Sequence, residues 1–227
     1  MKKIIVLFLL SVGLTIAQDY TVTKVSGDVK YQSGGNENWV NLKKSETIEL
    51  DAVISTGDNS SITLRSNNLH FILNESSAIS VSSIKKMSTD ELLLALAMED
   101  IINAPKNNSN GKSGNTAVYG TDESNSDELN IIAGNFGIKR LNGAKQLAAN
   151  GMKESAVVVA KETFRKYPDT KSISSYRIFF ADILFEKGLY TEAFEEFNEI
   201  ADLELSDEEK AKIDEKTETI KKILLNN

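Results

Sequence analysis

Residues 53–65 read VISTGDNSSITLR, two short β-rich runs separated by the polar segment Thr56-Gly57-Asp58-Asn59. Apolar and polar residues alternate on both sides of this break, which is the pattern of half-buried strands. Gly and Asp are common turn residues, and Asp58 is the only carboxylate of the stretch, with no histidine beside it. The stretch therefore predicts a corner between two strands rather than a catalytic or metal-binding loop.

The same alternation extends from Tyr20 to about Ile84. It predicts eight short strands with turn residues between them, at 20–25, 29–32, 39–42, 47–50, 53–56, 61–65, 69–73 and 78–84. The Asn67-Asn68 pair is one of these turns. Strands of this length and spacing predict a small antiparallel sandwich or barrel. The alternation places Trp39 in the core, with ligand stacking or an interface as the alternative.

Helical signals begin at Ser88-Thr89-Asp90-Glu91, which has the pattern of a capping box. The helix that follows is apolar on more than one face and ends before Pro105, so we expect it to pack on the β-domain or on another protein. Residues 105–128 are rich in Asn, Ser and Gly and are predicted to be a flexible linker. Further helices are predicted at 129–149, 152–166, 172–187, 190–202 and 207–225.

The helical half contains an internal repeat with an offset of 37 residues. When Gly151 is aligned with Gly188, small and apolar residues coincide in three pairs: Ala144 with Ala181, Leu147 with Leu184, and Ala156 with Ala193. Small residues let two antiparallel helices approach closely, and Gly permits a tight turn between them. The pattern predicts an array of helical hairpins.

The second copy resembles the tetratricopeptide repeat, with the family's signature spacing at Ala181, Leu184, Gly188, Tyr190, Ala193 and Phe197. The first copy departs from the family by having Lys153 in place of the aromatic. The resemblance implies a groove lined by the first helix of each repeat. Lys145 and Asp182 occupy equivalent inward-facing positions, and Glu186 lies one turn beyond Asp182. We expect these three residues to contact a partner, and Trp39 is the fourth candidate under the alternative that places it at an interface.

The β-rich half resembles the FecR-type domain over about 65 residues. The resemblance rests on Val25-x-Gly27-x-Val29, Trp39, Leu42, Leu50-x₃-Ile54-x-Thr56-Gly57-Asp58-x-Ser60, Ile62-x-Leu64, Leu73-x-Glu75-x-Ser77 and Ile79-x-Val81. In this family the Thr-Gly-Asp segment joins two strands, which implies that Gly57 serves the turn. FecR-type domains occur in trans-envelope regulators that report to a cytoplasmic sigma factor, but only Met1-Lys2-Lys3 precedes the apolar run here.

Residues 1–17 have the pattern of a secretory signal peptide, with two lysines, a short apolar run and small residues ending at Ala17. The apolar run is short for a membrane span, so we expect no integral span after cleavage. The alternative is an uncleaved anchor, because Thr15 at the −3 position is only acceptable for cleavage. Loss of Lys2 and Lys3 leaves 24 Lys and Arg residues against 33 Asp and Glu residues. Such an acidic chain is a poor ligand for nucleic acid.

Sites for chemistry are sparse. The chain has no cysteine and one histidine, His70, which excludes thiolate and multi-histidine sites. Acid pairs such as Glu195-Glu196 point about 100° apart on a helix and are interpreted as a solvated face. No nucleophile–base–acid set is visible, so we predict a protein that is not an enzyme and has no cofactor or metal.

The predicted fold class is a multidomain α+β protein. A signal peptide (1–17) precedes a small antiparallel all-β FecR-like domain (18–86), a connecting helix (87–104), a linker (105–128) and an all-α tetratricopeptide-like hairpin array (129–227). The functional hypothesis is an exported, non-enzymatic binding or scaffolding protein of the periplasm or cell envelope. Its repeats would bind an envelope protein, and its β-domain would bind cell-wall glycan or protein. The alternative is an accessory role in FecR-type trans-envelope signalling, through a separate membrane partner.

Overall fold

A computed structural model describes residues 19–34, 38–66, 69–103 and 126–226, without the side chains of 103 and 126–134. The signal-peptide, Asn67-Asn68 and 105–125 predictions lie outside the described residues. The β-rich half contains the strands β1 (Tyr20–Ser26), β2 (Val29–Gln32), β3 (Val40–Asn41), β4 (Thr47–Ile48), β5 (Val53–Thr56), β6 (Ser61–Ser66), β7 (Leu69–Leu73) and β8 (Ala78–Ser80). All eight predicted strands are present, although β3, β4 and β8 are shorter than predicted.

The strands form two antiparallel sheets of four strands each, in the orders β4-β1-β6-β7 and β3-β2-β5-β8. Alternate side chains from both sheets are buried in one core, as the period-two pattern predicts. Tyr20, Ile54, Leu64 and Phe71 are among its fully buried members. A short 3₁₀ turn at Val81–Ser83 replaces the end of the predicted eighth strand.

The corner at residues 57–60 joins β5 to β6, which confirms the prediction from VISTGDNSSITLR. The Gly57 amide donates a hydrogen bond to the Asp28 carbonyl at 2.8 Å, and the Thr56 amide donates to Ser77 at 2.8 Å. The left-handed residue of the corner is Asn59, with φ of 52°, and not Gly57. Gly57 is instead tightly placed, since a Cβ there would lie 3.3 Å from the Asp28 Cβ.

The remaining described residues are mostly helical. The helices are α1 (Thr89–Asn103), α2 (Ser126–Ala149), α3 (Lys153–Lys166), α4 (Ser174–Glu186), α5 (Tyr190–Ala201) and α6 (Asp207–Leu225). Helix α2 begins at Ser126, so the last three residues of the predicted linker are helical. The Ser88 and Glu91 side chains form the predicted capping box, because each accepts a hydrogen bond from the backbone amide of the other. No helix in the described part of the chain is both long and apolar enough to cross a lipid bilayer.

The internal repeat is visible in the turns between α2 and α3 and between α4 and α5. Gly151 and Gly188 have φ of 80° and 76°, the left-handed conformation that favours glycine. The paired Ala and Leu residues of the repeat are all at most 1 % exposed. Small side chains therefore stand where the two helices of each hairpin meet, as the sequence predicts.

Helix α2 also packs against the β-sheets. A Cβ on Gly143 would lie 2.0 Å from the Ala78 carbonyl oxygen, so only glycine permits this approach of α2 to β8. Asn150 accepts from the Ile72 amide at 3.2 Å and donates to the Ile72 carbonyl at 3.1 Å, and thus bonds β7 as a neighbouring strand would. The two halves of the chain are therefore docked on each other.

A second contact joins the halves through α1. Leu92 and Leu96 on α1 are buried, and Arg165 on α3 donates from Nε to Glu99 at 2.7 Å. Ser155 at the start of α3 donates to the Lys85 carbonyl at 2.6 Å. Helix α1 therefore packs on α3 of the helical half, which is neither of the two partners expected for it from the sequence. The opposite side of α1 leaves four apolar residues exposed: Leu94, Met98, Ile101 and Ile102.

Candidate functional site

A groove between α2 and α4 holds the three helical residues that the sequence singles out. Its cavity has a volume of about 480 Å³, and Lys145, Asp182 and Glu186 all line it. The floor is apolar and includes Ala148, Phe179 and Ile183. The repeat explains this convergence, because Lys145 and Asp182 occupy the same position in successive hairpins. The groove thus combines an apolar floor with charged side chains around its rim.

Lys145 is held by aromatic rings rather than by a carboxylate. Its Nζ lies 5.0 Å from the centroids of both the Tyr176 and the Phe179 rings, a distance at which a cation is attracted to the ring face. Among the residues that the structure describes, no carboxylate oxygen lies within 4.0 Å of this nitrogen. Lys145 is half-buried. It is therefore a positioned cation that lacks a carboxylate counterion within this part of the chain.

Asp182 receives its cations from α6. Lys212 donates to Asp182 Oδ2 at 2.5 Å, and Lys216 lies 3.9 Å from Oδ1. The second distance is too long for a hydrogen bond. Asp182 Oδ1 is buried and accepts no hydrogen bond from any described residue.

Glu186 closes the far end of the groove. Its Oε2 forms an ion pair with Lys153 at 2.5 Å, which joins the end of α4 to the start of α3. Both side chains are about half exposed, so this pair contributes little to stability. The pair is consistent with the departure of the first repeat from the aromatic pattern, since Lys153 replaces the aromatic there.

A second cavity, of about 440 Å³, adjoins the groove at the β-domain. It is lined by the β-domain segment 74–77 and by three residues of α2, of which Lys145 and Gln146 also line the groove. Asn142 of α2 donates to the Ser76 carbonyl at 2.8 Å and accepts from the Tyr176 hydroxyl at 2.5 Å. The second cavity thus lies between α2 and the β-domain.

Trp39 lies away from the groove, and the prediction that it is buried in the core is wrong. Its side chain is 38 % exposed, because it precedes the two-residue strand β3 rather than lying within a longer one. The indole packs edge-to-face on Phe136 of α2 at 6.0 Å, and Phe136 packs in turn on Tyr167 at 6.1 Å. The interface alternative describes Trp39 better, and the interface lies between the two halves of the chain.

The sequence interpretation missed a buried ion network between α3, α4 and α5. Glu196 is 8 % exposed and pairs with Lys161 and, at 3.1 Å, with Arg177, which also bonds Glu199 at 2.6 Å. Burial opposes ionisation of Glu196, but Lys161 and Arg177 outweigh it and hold the pKa of its carboxyl below the ordinary value. The solvated-face interpretation of Glu195-Glu196 therefore holds only for the exposed Glu195.

The network borders a cavity of about 410 Å³ between α1, α3 and α5. The two cations of the network, Lys161 and Arg177, lie on different helices, so no local sequence pattern marks them as partners of Glu196. The ion pairs join α3, α4 and α5 to one another.

Metal ligands are not assembled at any of the three cavities in the part of the chain that the structure describes. Within residues 19–34, 38–66, 69–103 and 126–226, no group of three His, Asp or Glu side chains could hold a metal ion. His70 is exposed on β7, opposite Arg65. The groups at the groove are suited to hydrogen bonding, ion pairing and apolar contact with an extended chain. Comparisons with protein-family models, curated proteins and solved structures give no match to this chain.

Proposed function

We propose that this chain is an exported, non-enzymatic binding protein of the bacterial cell envelope, in which the helical repeats hold a segment of a partner protein. The observation that carries the proposal is the groove between α2 and α4, with its apolar floor and with Lys145, Asp182 and Glu186 at its rim. Its volume of about 480 Å³ is in the range of sites that hold a few side chains.

The resemblance to tetratricopeptide repeats supports the same use of the groove, since these repeats bind segments of other proteins between their first helices. The β-half resembles the FecR-type domain and is proposed to bind a second envelope component, either cell-wall glycan or protein. Because α2 is docked on the β-sheets, a partner in the groove and a component bound to the β-domain would be held in a fixed relation. This is the basis for assigning a scaffolding role.

Export is supported by the pattern of residues 1–17. We expect the protein in the periplasmic or envelope fraction of the cell, and we expect the mature chain to begin at Gln18. Cell fractionation and mass spectrometry of the mature N-terminus check both points. Recovery of the uncleaved chain in the cytosol would contradict the proposal.

Site-specific photocrosslinking in intact cells tests the groove. A photoreactive amino acid is placed at Ala149, which is exposed and lines the groove, and, in a control protein, at Asn198 on the outer side of α5. We expect one discrete crosslinked protein from position 149, none from position 198, and loss of the product when Ala148→Trp fills the groove. Equal products from both positions, or a product that Ala148→Trp leaves unchanged, would refute the groove as the binding surface.

A further inference from the structure

Helix α2 is bonded to α4 and to the β-domain by the same side chain, that of Asn142. Its Nδ2 donates to the Ser76 carbonyl at 2.8 Å, and its Oδ1 accepts from the Tyr176 hydroxyl at 2.5 Å. A carbonyl oxygen can only accept, so the amide has one orientation that satisfies both contacts. Burial raises the pKa of the Tyr176 hydroxyl, which is therefore protonated and able to donate. Asn142 thus joins α4 to the β-domain.

The Ser76 carbonyl is held in place by the corner between β5 and β6. The Ser76 amide donates to the Gly57 carbonyl at 3.0 Å, and the Ser76 hydroxyl donates to Asp58 Oδ1 at 2.5 Å. The neighbouring Glu75 accepts from the Asn59 amide at 2.7 Å. Ser76 also has a φ of 50°, a conformation that a residue other than glycine keeps only where its surroundings hold it. The Ser76 carbonyl therefore has a fixed orientation in the β-domain.

The Tyr176 ring bears on Lys145, which lies one turn after Asn142 on α2. Lys145 Nζ is 5.0 Å from the centroid of the Tyr176 ring and 5.0 Å from that of the Phe179 ring. A cation is attracted to the face of a ring, so the orientation of the two rings sets the position of the ammonium group. The hydrogen bond from Tyr176 to Asn142 fixes one of these rings. Lys145 lines both the groove and the second cavity, so its position affects both.

These contacts form one path from the β-domain to the groove, through the Ser76 carbonyl, the Asn142 amide, the Tyr176 ring and the Lys145 ammonium group. In the part of the chain that the structure describes, the side chains of α2 that hydrogen-bond the β-domain are those of Lys139, Asn142, Gln146 and Asn150. Of these, only Asn142 also hydrogen-bonds a residue of α4. The path therefore depends on one side chain.

We propose that Asn142 is a positioning residue of the groove, which ties the Tyr176 ring to the β-domain and thereby holds Lys145 in place. The groove then has the described arrangement only while the β-domain is docked on α2, so the β-domain contributes to the binding surface of the helical half. This role rests on the proposed function, because it concerns the groove that would hold the partner.

Nuclear magnetic resonance of the whole mature chain tests the position of Lys145 without any partner. In a protein that is isotope-labelled in its lysine side chains, the two rings shift the Lys145 Cε signal upfield, and Lys145→Arg identifies this signal by its loss. The variants are Asn142→Ala, Tyr176→Phe and the two combined. Asn150→Ala is the matched control, because it removes an asparagine of the same helix that bonds the β-domain but not α4. Circular dichroism establishes that each variant is folded.

We expect Asn142→Ala and Tyr176→Phe each to remove about half of the upfield shift, since one of the two rings loses its fixed orientation. The combined variant should lose no more than either single variant, and Asn150→Ala should leave the signal in place. An unchanged signal in Asn142→Ala would overturn the positioning role. Equal losses in Asn142→Ala and Asn150→Ala would also overturn it, because a general loosening of the docking has this effect. Losses that add in the combined variant would show that Asn142 does not act through Tyr176.

The photocrosslink from position 149 shows whether this arrangement serves binding. We expect Asn142→Ala to lower the yield of the crosslinked product about five-fold, which corresponds to the loss of one hydrogen bond. Lys139→Ala, which removes the bond of α2 to the Thr56 carbonyl, should leave the yield unchanged. An undiminished product from Asn142→Ala would overturn the role of Asn142 in binding and leave the groove as the binding surface. Absence of a product from the wild-type chain would overturn the proposed function, whereas the positioning of Lys145 is decided by its resonance signal alone.

Discussion

Replacing Gly143 by alanine tests how closely α2 approaches the β-domain. The added Cβ would lie 2.0 Å from the Ala78 carbonyl oxygen and 2.9 Å from its carbonyl carbon. Since carbon and oxygen normally approach no closer than about 3.3 Å, α2 and β8 must separate by about 1 Å or more. Both neighbouring atoms belong to the backbone, so no side-chain rotation can relieve the contact.

The separation acts on four side chains of α2 that bond the β-domain. These are Lys139, Asn142, Gln146 and Asn150, with contacts between 2.8 and 3.2 Å to Thr56, Ser76, Asn74 and Ile72. At about 1 kcal/mol net for each bonded side chain, complete loss costs about 4 kcal/mol. The helix gains about 1 kcal/mol from the Gly→Ala change itself. We therefore expect Gly143→Ala to lower the free energy of unfolding by about 2–3 kcal/mol.

Urea denaturation measures this loss, and hydrogen exchange locates it. The amides of β7 and β8 should exchange faster in Gly143→Ala, while those of α4 and α5 should be unchanged. Asn135→Ala is the matched control, because it improves helix propensity at an exposed position of the same helix without a new contact. If Gly143→Ala were as stable as Asn135→Ala, α2 would not be seated on β8, and the docking of the two halves would be wrong.

Three further predictions concern the ion network, the β7 edge and the repeat turns. Glu196→Gln should lower the free energy of unfolding by about 3 kcal/mol at pH 7, while the control Glu195→Gln should lower it by less than about 0.5 kcal/mol. The folded pKa of Glu196 lies below its unfolded value of about 4.3, so the stabilisation by Glu196 is present above that pH and is lost as the pH falls through the folded pKa. Urea denaturation from pH 7 to pH 3 should therefore show the stabilities of the two variants converging. Asn150→Ala should lower the free energy of unfolding by about 1–2 kcal/mol and accelerate amide exchange in β7. An unchanged exchange rate would show that Asn150 does not protect the edge strand β7. Gly151→Ala and Gly188→Ala should each lower the free energy of unfolding by about 1–2 kcal/mol, as measured by thermal unfolding. Both glycines have positive φ, and no atom lies within 4 Å of the added Cβ, so only backbone strain contributes. Clearly unequal losses would show that the two turns are not equivalent.

Local elements of the fold could be predicted from the sequence because each has a local cause. The alternation around Thr56 and the capping box at Ser88 give the elements their type and boundaries. The glycines at 151 and 188 have positive φ, which a sequence repeat can reveal because the same backbone demand recurs. The position of Lys145 beside Asp182 follows from the same repeat.

Contacts between distant residues could not be predicted in this way. Gly143 resembles any glycine in a helical pattern until Ala78 is known to face it, and Glu196 resembles its exposed neighbour until Arg177 is placed. Alternation places Trp39 in the core, but β3 has only two residues and is too short for alternation to apply. The second cavity also needs both halves of the chain, because segment 74–77 encloses it together with α2 only when the two halves are docked.

The docking of α2 on the β-sheets and of α1 on α3 also bears on the covalent connection between the halves. The chain leaves the first half at the end of α1 and enters the second at the start of α2, and both of these helices contact the opposite half. A protease cut within residues 104–125 would therefore yield two fragments that stay associated. The intact connection between the halves only raises the effective concentration of each half at the other. Fragments 19–103 and 126–226, produced separately, should then reassemble as a heterodimer, and this chain would be a candidate for a split reporter rather than for separation into independent domains.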